Sequence, residues 1–495
     1  MTQETFEPIA IIGAGALFPG SPDRESYWAS ICHAEDRIGP IPAGRWDPKD
    51  HYDPDPAAPD RVYADKGGFL SEIPLTPAEF GLSPTGLQAT DTSQLLSLWA
   101  TRRLILEAGF SLGEGIPGRS WDRTRTSVIL GVTGAQQLML PLGTRLDGNR
   151  WKKILEEEGV DGSVANRVVG SMLDLYPPWL ENSFPGLLGN VVAGRIAHRF
   201  NLGGSNCVVD AACASSLAAI HMAVMELQAG KSDLVISGGV DTFNDPFMYA
   251  CFSKTPALSK TGAARPFDKD ADGTILGEGV GLVLLKRLDK AQRDGDNILG
   301  VIKGMGASSD GLGSAVHAPR KEGQIECLRA AHASAGIDPA TIGLVEAHGT
   351  GTKVGDATEL AGLIDVFSAT NSAKRSHWCA LGSVKSQIGH TKAAAGAAGL
   401  IKALLAVRLG VIPPTVKVRE PQPALRDPSC PFYIADRARP WVQATAANGS
   451  VSPRRAGVSA FGFGGSNYHL ILEQSPTSVE TPVTWDPDVW FAALS

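Results

Sequence analysis

The chain has 495 residues, 43% of them apolar and 20% charged, with 56 glycines and 33 prolines. Those proportions describe a compact, loop-rich globular protein and exclude disordered, coiled-coil and collagen-like chains. With 45 Lys and Arg against 52 Asp and Glu, the formal charge of −7 argues against a nucleic-acid or anionic-membrane partner held by bulk electrostatics.

Along the chain, short apolar runs bounded by Gly alternate with longer helical patterns, as in an α/β protein. Strands are expected at residues 9–13, 127–131, 207–211, 234–239, 281–285, 299–304, 344–347, 380–383 and 468–473. Helices are expected at 94–108, 215–229, 324–335, 357–367 and 391–408, each with apolar residues at helical spacing. No short internal repeat is visible, which excludes solenoids and propellers. The acidic start, MTQETFEPIAIIG, lacks the basic-then-apolar layout of a signal peptide. The longest apolar stretch, 393–412, carries Lys402 and Arg408 and reads as a buried helix, so no membrane insertion is expected. Seven widely spaced cysteines without a C-x-x-C pair point to a reducing cytoplasm rather than a disulfide framework or a zinc site. Residues 141–188, rich in charge and Trp, read as an elaborated connection. After Glu473 a Pro/Thr-rich linker and the apolar VWFAALS suggest a chain that continues into another domain.

Four strand–loop–helix or loop–strand junctions carry chemistry. In NCVVDAACASS a buried strand runs into a small-residue helix with Cys213 at the junction. The helix dipole and free N–H groups there favour thiolate, lowering a reference pKa of about 8.5. The same N–H groups can hold an oxyanion. Taken alone, Cys213 reads equally well as a small buried hydrophobe, and Cys207 on the strand belongs to the core. VEAHGTGTKVGDATE places His348 at a strand end, with hydroxyls at Thr350 and Thr352 for an extended polar ligand. It is not a P-loop, since no G-x-x-x-x-G-K-[ST] is present, and a single loop His is by itself an ordinary residue. GSVKSQIGHTKAAAG sets His390 at another helix start, where a neutral imidazole is favoured. Lys385 lies five residues earlier; it is a solvated loop charge unless the loops converge, in which case Glu359 is its buried partner. FGFGGSN, residues 461–467, can bring a backbone N–H close to a substrate between the rings of Phe461 and Phe463. No complete G-x-S-x-G occurs, so there is no nucleophile elbow of that kind. A thiolate with two neutral His donors suits capture of an acyl group and stabilisation of an enolate, that is, decarboxylative carbon–carbon bond formation.

DAACASS, EAHGTGT, KSQIGH and FGFGGSN together resemble the active-site signatures of β-ketoacyl synthases, in order and approximate spacing, over about residues 9–473. The resemblance implies a thiolase-like fold of two duplicated halves in a five-layer αβαβα sandwich. Residues 1–475 would be the ketosynthase domain, with halves of about 1–290 and 291–475, and 476–495 would begin a linker to a missing domain. It implies Cys213 as acylated nucleophile and His348 and His390 as the decarboxylation and condensation pair. Lys385 would balance the site's charge with support from Glu359. The N–H groups of Cys213 and Phe463 would form the oxyanion hole, with Phe463 as gate, while Thr350, Thr352, Phe461 and Gly464 would contact substrate. No metal and no cofactor of the chain's own is implied; phosphopantetheine would arrive on a partner acyl carrier protein. A homodimer within a megasynthase is expected. The segments at 58–69, 79–84, 91–96 and 181–190, and Ala357 in place of a common Pro, are similar to ketosynthases of polyunsaturated-fatty-acid synthases and related iterative type I systems. A non-condensing scaffold or chain-length-factor-like decarboxylase is the rival; such proteins lose the Cys or a His, and all three are present here. A thiolase would need a second Cys near the C-terminus, which FGFGGSN lacks.

Overall fold

The computed structural model describes residues 6–113, 115–133, 137–369, 376–443 and 451–476, so all but the first residue of the expected 476–495 linker lies outside the described residues. Eleven of the described strands form one sheet. Its first half comprises β1 (Ile9–Leu17), β2 (Thr126–Val132), β3 (Asn206–Val209), β4 (Leu234–Asp241) and β5 (Gly279–Arg287). They lie in the order β3-β2-β4-β5-β1. The second half comprises β6 (Gly300–Ser309), β7 (Leu344–Glu346), β8 (Cys379–Gly382), β10 (Arg455–Phe461) and β11 (Ser466–Glu473) in the order β8-β7-β10-β11-β6. The short β9 (Phe432–Tyr433) adds outside β8. Substituting β6, β7, β8, β10 and β11 for β1 to β5 turns one order into the other. Each half has a parallel trio (β3, β2, β4 and β8, β7, β10) and an antiparallel remainder. The halves meet where Ile9–Ile11 pair with Ile302–Gly300. The chain is therefore a topological duplication, which periodicity alone does not reveal.

Helices complete the layers. α1 (Thr92–Glu107) and α2 (Val191–Phe200) pack on the outer face of the first half. α3 (Ser215–Gln228) and α6 (Ala395–Leu409) lie between the halves, while α4 (Lys321–Ala335) and α5 (Lys353–Ser368) cover the outer face of the second. Every residue of α6 from Ala395 to Val407 is buried, as expected of a helix that is apolar all round. β4 is buried throughout, reading as a continuous apolar run because both its faces are covered. Glycine lets α3 and α6 approach: a Cβ at Gly396 would stand 2.7 Å from Leu217 Cγ and 2.9 Å from Ser216 Oγ.

β10 has no counterpart among the expected strands, because RAGVSAF is mostly small residues and carries little period. A helix at Arg24–Cys32, capped by Asp23 through a capping box, is likewise absent from the sequence reading, as is α2. β6 runs on to Ser309 through small residues. The 141–188 connection is helical, with Met139–Arg145, Gly148–Glu157, Gly162–Leu173 and Ser183–Leu187. It lies at the surface, with Leu175 and Phe184 well exposed.

Candidate active site

The chemistry-bearing junctions gather where α/β folds place ligands, at the carboxyl ends of parallel strands. Beyond β3, a 3-10 turn at Ala212–Ala214 carries Cys213 into α3. Ala212 takes φ +49°, a left-handed backbone uncommon outside glycine. The turn is held by the Ala212 N–H donating to Asp210 Oδ1 (3.0 Å), the Ser215 hydroxyl donating to the Ala212 carbonyl (2.6 Å) and the Ala211 N–H donating to Ser215 Oγ (2.9 Å). Opposite it comes the turn between β10 and β11. A Cβ at Gly462 would lie 2.3 Å from the Ala211 carbonyl oxygen, so only glycine allows this approach. The Phe463 N–H thereby reaches the Cys213 thiol.

Beyond β7, the carboxylate of Glu359 on α5 accepts the N–H groups of His348 (2.7 Å) and Gly349 (2.8 Å). The neighbouring Asp356 accepts those of Phe267 (2.7 Å) and Gly351 (3.1 Å). The Gly/Thr loop is therefore a set of backbone donors folded around two buried carboxylates. Beyond β8, Lys385 is buried on a one-turn helix and its ammonium donates to the His348 carbonyl. The loops do converge, yet no direct ion pair forms between Lys385 and Glu359: the Lys385 ammonium turns to the His348 carbonyl, while Glu359 accepts backbone N–H groups. The two charges act on each other only through space. This corrects the expected ion pair.

The rings of His348 and His390 meet edge to face at 5.5 Å, and Phe461 stands 5.7 Å from His348. His390 Nδ1 accepts the Lys392 N–H (3.2 Å), which assigns the ring proton to Nε2, and that nitrogen is buried without a partner. His348 Nδ1 is also buried and unpartnered. Burial drives both imidazoles well below their ordinary pKa, reinforced by the Lys385 ammonium and, for His390, by His348 and Lys392. Both rings are neutral at pH 7, as the helix-start argument for His390 anticipates.

The Cys213 thiol departs from its expectation. Its pKa is raised, because burial outweighs the opposing pull of Lys385, the Phe463 N–H and Lys392. At rest Cys213 carries a thiol, with Lys385, the Phe463 N–H and Lys392 beside it favouring its anion and Asp241 opposing it. Burial also lifts Glu359 above the usual carboxylate range and brings Asp356 to about 7.

Exposure grades along the site. Phe463, 58% exposed, and Gly464 form the rim. Cys213, His348, Thr350 and Thr352 are half-buried, and the hydroxyls of Thr350 and Thr352 bond to each other at 2.9 Å. His390 and Lys385 form the floor. Two supporting ion pairs escape the sequence reading: Lys402 with Glu346 (2.7 Å) and Lys392 with Asp241 (3.0 Å). A carboxylate inside an apolar strand, Glu346, and a lysine inside an apolar helix, Lys402, are the signal that could have paired them. Among the described residues no group of three or more His, Cys, Asp or Glu is arranged to hold a metal.

Residues 6–291 match the N-terminal domain model of β-ketoacyl synthases, and residues 299–419 the C-terminal domain model. The chain is 40% identical over 472 residues to a polyunsaturated fatty acid synthase of a Thraustochytrium species, covering 94% of this chain and 16% of that protein. It is 38% identical over 477 residues to the polyketide synthase GfsB of Streptomyces halstedii, covering 95% of this chain and 8% of that one. The seventh ketosynthase domain of the Streptomyces albus oxazolomycin synthase OzmH superposes with a TM-score of 0.83 at 31% identity, over 97% of this chain and 76% of that one. The ketosynthase of module 6 of the Bacillus subtilis bacillaene synthase gives 0.78 at 32% identity, over 95% and 72%. The chain belongs to the β-ketoacyl synthase family, with its thiolase-like, five-layer fold and its acyl-transferring, condensing activity.

Proposed function

We propose that Cys213, His348 and His390 carry out the condensation between them, with Lys385, Glu359 and the Phe463 N–H in support. The observation that carries this reading is the buried, unpartnered His390 Nε2–H beside a second neutral imidazole and a half-buried thiol. In loading, Cys213 Sγ attacks an acyl thioester carbonyl; the N–H groups of Phe463 and Cys213 hold the oxyanion, and the departing thiol leaves with the proton. A malonyl-type thioester then loses carbon dioxide. His348 and His390 donate to its carbonyl oxygen, stabilising the enolate electrons left behind. The enolate carbon attacks the acyl–Cys213 carbonyl, the C–S bond breaks, and the freed thiolate takes up a proton. Phe463 gates the mouth, and Thr350, Thr352, Phe461 and Gly464 line the path of the phosphopantetheine arm delivered by an acyl carrier protein.

The physiological unit on this reading is a homodimer within a cytoplasmic megasynthase of the polyketide or polyunsaturated-fatty-acid kind, with the halves dividing near residue 290. No helix among the described residues is long and apolar enough to cross a membrane. β3 lies at the sheet edge with half-buried Cys207, Val208 and Val209, an open row of backbone groups suited to pairing with a second copy. Intact-mass analysis after exposure to acyl thioesters should show one adduct per chain, absent from Cys213→Ala. His390→Ala should keep the adduct and lose carbon dioxide release from a malonyl thioester. An adduct on Cys213→Ala, or undiminished carbon dioxide from His390→Ala, overturns the assignment.

A further inference from the structure

The two helix starts at the site are built alike. Ala212 and Lys392 each open a 3-10 turn leading into a central helix, and they share an unusual left-handed backbone, φ +49° and +47°. In each, the residue's N–H donates to the side chain two positions earlier: Asp210 Oδ1 for Ala212 and His390 Nδ1 for Lys392. In the second half the catalytic imidazole itself takes the part of the turn-forming acceptor. A non-glycine residue stays in such a conformation only where its surroundings hold it there.

The Lys392 side chain meets that requirement. It is 3% exposed, and its ammonium reaches Asp241 (3.0 Å), Asn244 Oδ1 (2.7 Å) and the Gly277 carbonyl (2.8 Å). Two of the three acceptors hold the same loop a second time. Asp241, at the end of β4, also takes the Ala393 N–H (3.2 Å). Gly277 donates its N–H to the His390 carbonyl (2.9 Å), while the His390 N–H goes to the Ile275 carbonyl (2.6 Å). The segment from His390 to Ala393 is thus tied on both sides, with the Lys392 ammonium as the knot.

We propose that Lys392 is a positioning residue for His390. Its ammonium, bound to Asp241, Asn244 and Gly277, holds the left-handed turn that aims its own N–H at His390 Nδ1, and so keeps the ring proton on Nε2. The proposal rests on the role given above to His390 as a hydrogen-bond donor to the decarboxylating thioester. Without the anchor the turn relaxes, Nδ1 loses its donor, and the ring can place its proton on either nitrogen or rotate.

The test compares wild type with Lys392→Met and with the uncharged pair Asp241→Asn/Lys392→Gln, which keeps no buried carboxylate unpaired if the single variant fails to fold. The Gln side chain is too short to span the same three acceptors. Malonyl thioester decarboxylation should fall by about 10²-fold in kcat, the scale of a lost general acid or base, with KM within about twofold. Acylation of Cys213, read by intact mass, should stay within about threefold in the uncharged pair, where the Lys392 cation and the Asp241 anion that act on the thiol in opposite senses are both gone. Imidazole nitrogen NMR, with His390 assigned by its loss in His390→Ala, should show the Nε2–H tautomer in wild type and a mixture in the variants. An unchanged kcat or tautomer in a folded variant overturns the proposal, as does a proportional loss of acylation. Absence of carbon dioxide release from wild type would instead overturn the functional reading itself, and this assignment with it.

Discussion

Lys402→Met removes the cation from the most deeply buried ion pair near the site. Lys402 and Glu346 have side chains 0% and 2% exposed, 2.7 Å apart. At an effective dielectric constant of about 20 their attraction is about 6 kcal/mol, much of it offset by the desolvation of both ions. Methionine fills nearly the same volume, so cavity formation adds little. What remains is a buried carboxylate with the Val384 N–H bound to it at 2.7 Å and no ion-pair partner, Lys385 acting on it only through space, a situation that costs about 3–5 kcal/mol. With a urea slope of about 3 kcal/mol per M, the midpoint should fall by roughly 1–1.7 M. Glu346→Gln/Lys402→Met should recover most of that loss, because the amide still accepts from Val384 without a charge. Equilibrium urea unfolding followed by tryptophan fluorescence measures both. A single variant within about 0.5 M of wild type would refute the reasoning, as would a double variant no better than the single. Activity offers a second reading, since Val384 adjoins Lys385 and a displaced Glu346 should slow decarboxylation.

Other perturbations probe different parts of the site. Glu278 is buried, and its pKa is pushed up to about 7 by that burial, against the pull of Arg45 (2.8 Å) and the Leu70 N–H. The folded state therefore holds this proton more tightly than the unfolded state. The resulting stability is present at low pH and fades as pH rises from about 4.5 through 7, with a slope of at most about 1.4 kcal/mol per pH unit. Glu278→Gln should flatten the stability profile in that window, and an unaltered slope would count against the assignment. A Cβ at Gly68 would stand 2.0 Å from the Ile388 carbonyl oxygen, so Gly68→Ala should push the turn bearing His390 and lower carbon dioxide release more than Cys213 acylation. Equal losses in the two assays would argue against a local effect. Phe463→Ala, at an exposed rim, should leave the urea midpoint unchanged and alter the length dependence of acyl loading; identical loading profiles would remove Phe463 from the gate.

Much of this protein is legible residue by residue. The α/β class follows from alternating apolar runs and helical patterns. Residues at strand–helix junctions advertise themselves because small residues, Gly and reactive side chains cluster there, and Cys213, His348 and His390 are found in this way. The buried helix is likewise visible, since no amphipathic face interrupts Ala395–Val407. β10 is harder to see, because small residues pack tightly without leaving a period of large apolar ones; α2 does carry such a period, with Val192, Ile196 and Phe200 on its buried face, a legible signal that the sequence reading passes over.

What the tertiary structure alone decided is how separated segments act on one another. The duplication is visible in the strand order and in the matched helix starts at Ala212 and Lys392, neither of which periodicity reveals. The missing Lys385–Glu359 ion pair depends on the Lys385 ammonium turning to the His348 carbonyl. The raised pKa of Cys213 is a balance of burial against charges from elsewhere in the chain, while a helix start considered locally predicts the opposite sign. Nothing in the sequence singles out Lys392, which falls inside the expected helix 391–408. Its role emerges only when Asp241 and Gly277, more than a hundred residues away, close around it. Propensity and pattern are local properties of a chain, whereas desolvation and charge pairing are set by whichever groups folding brings together.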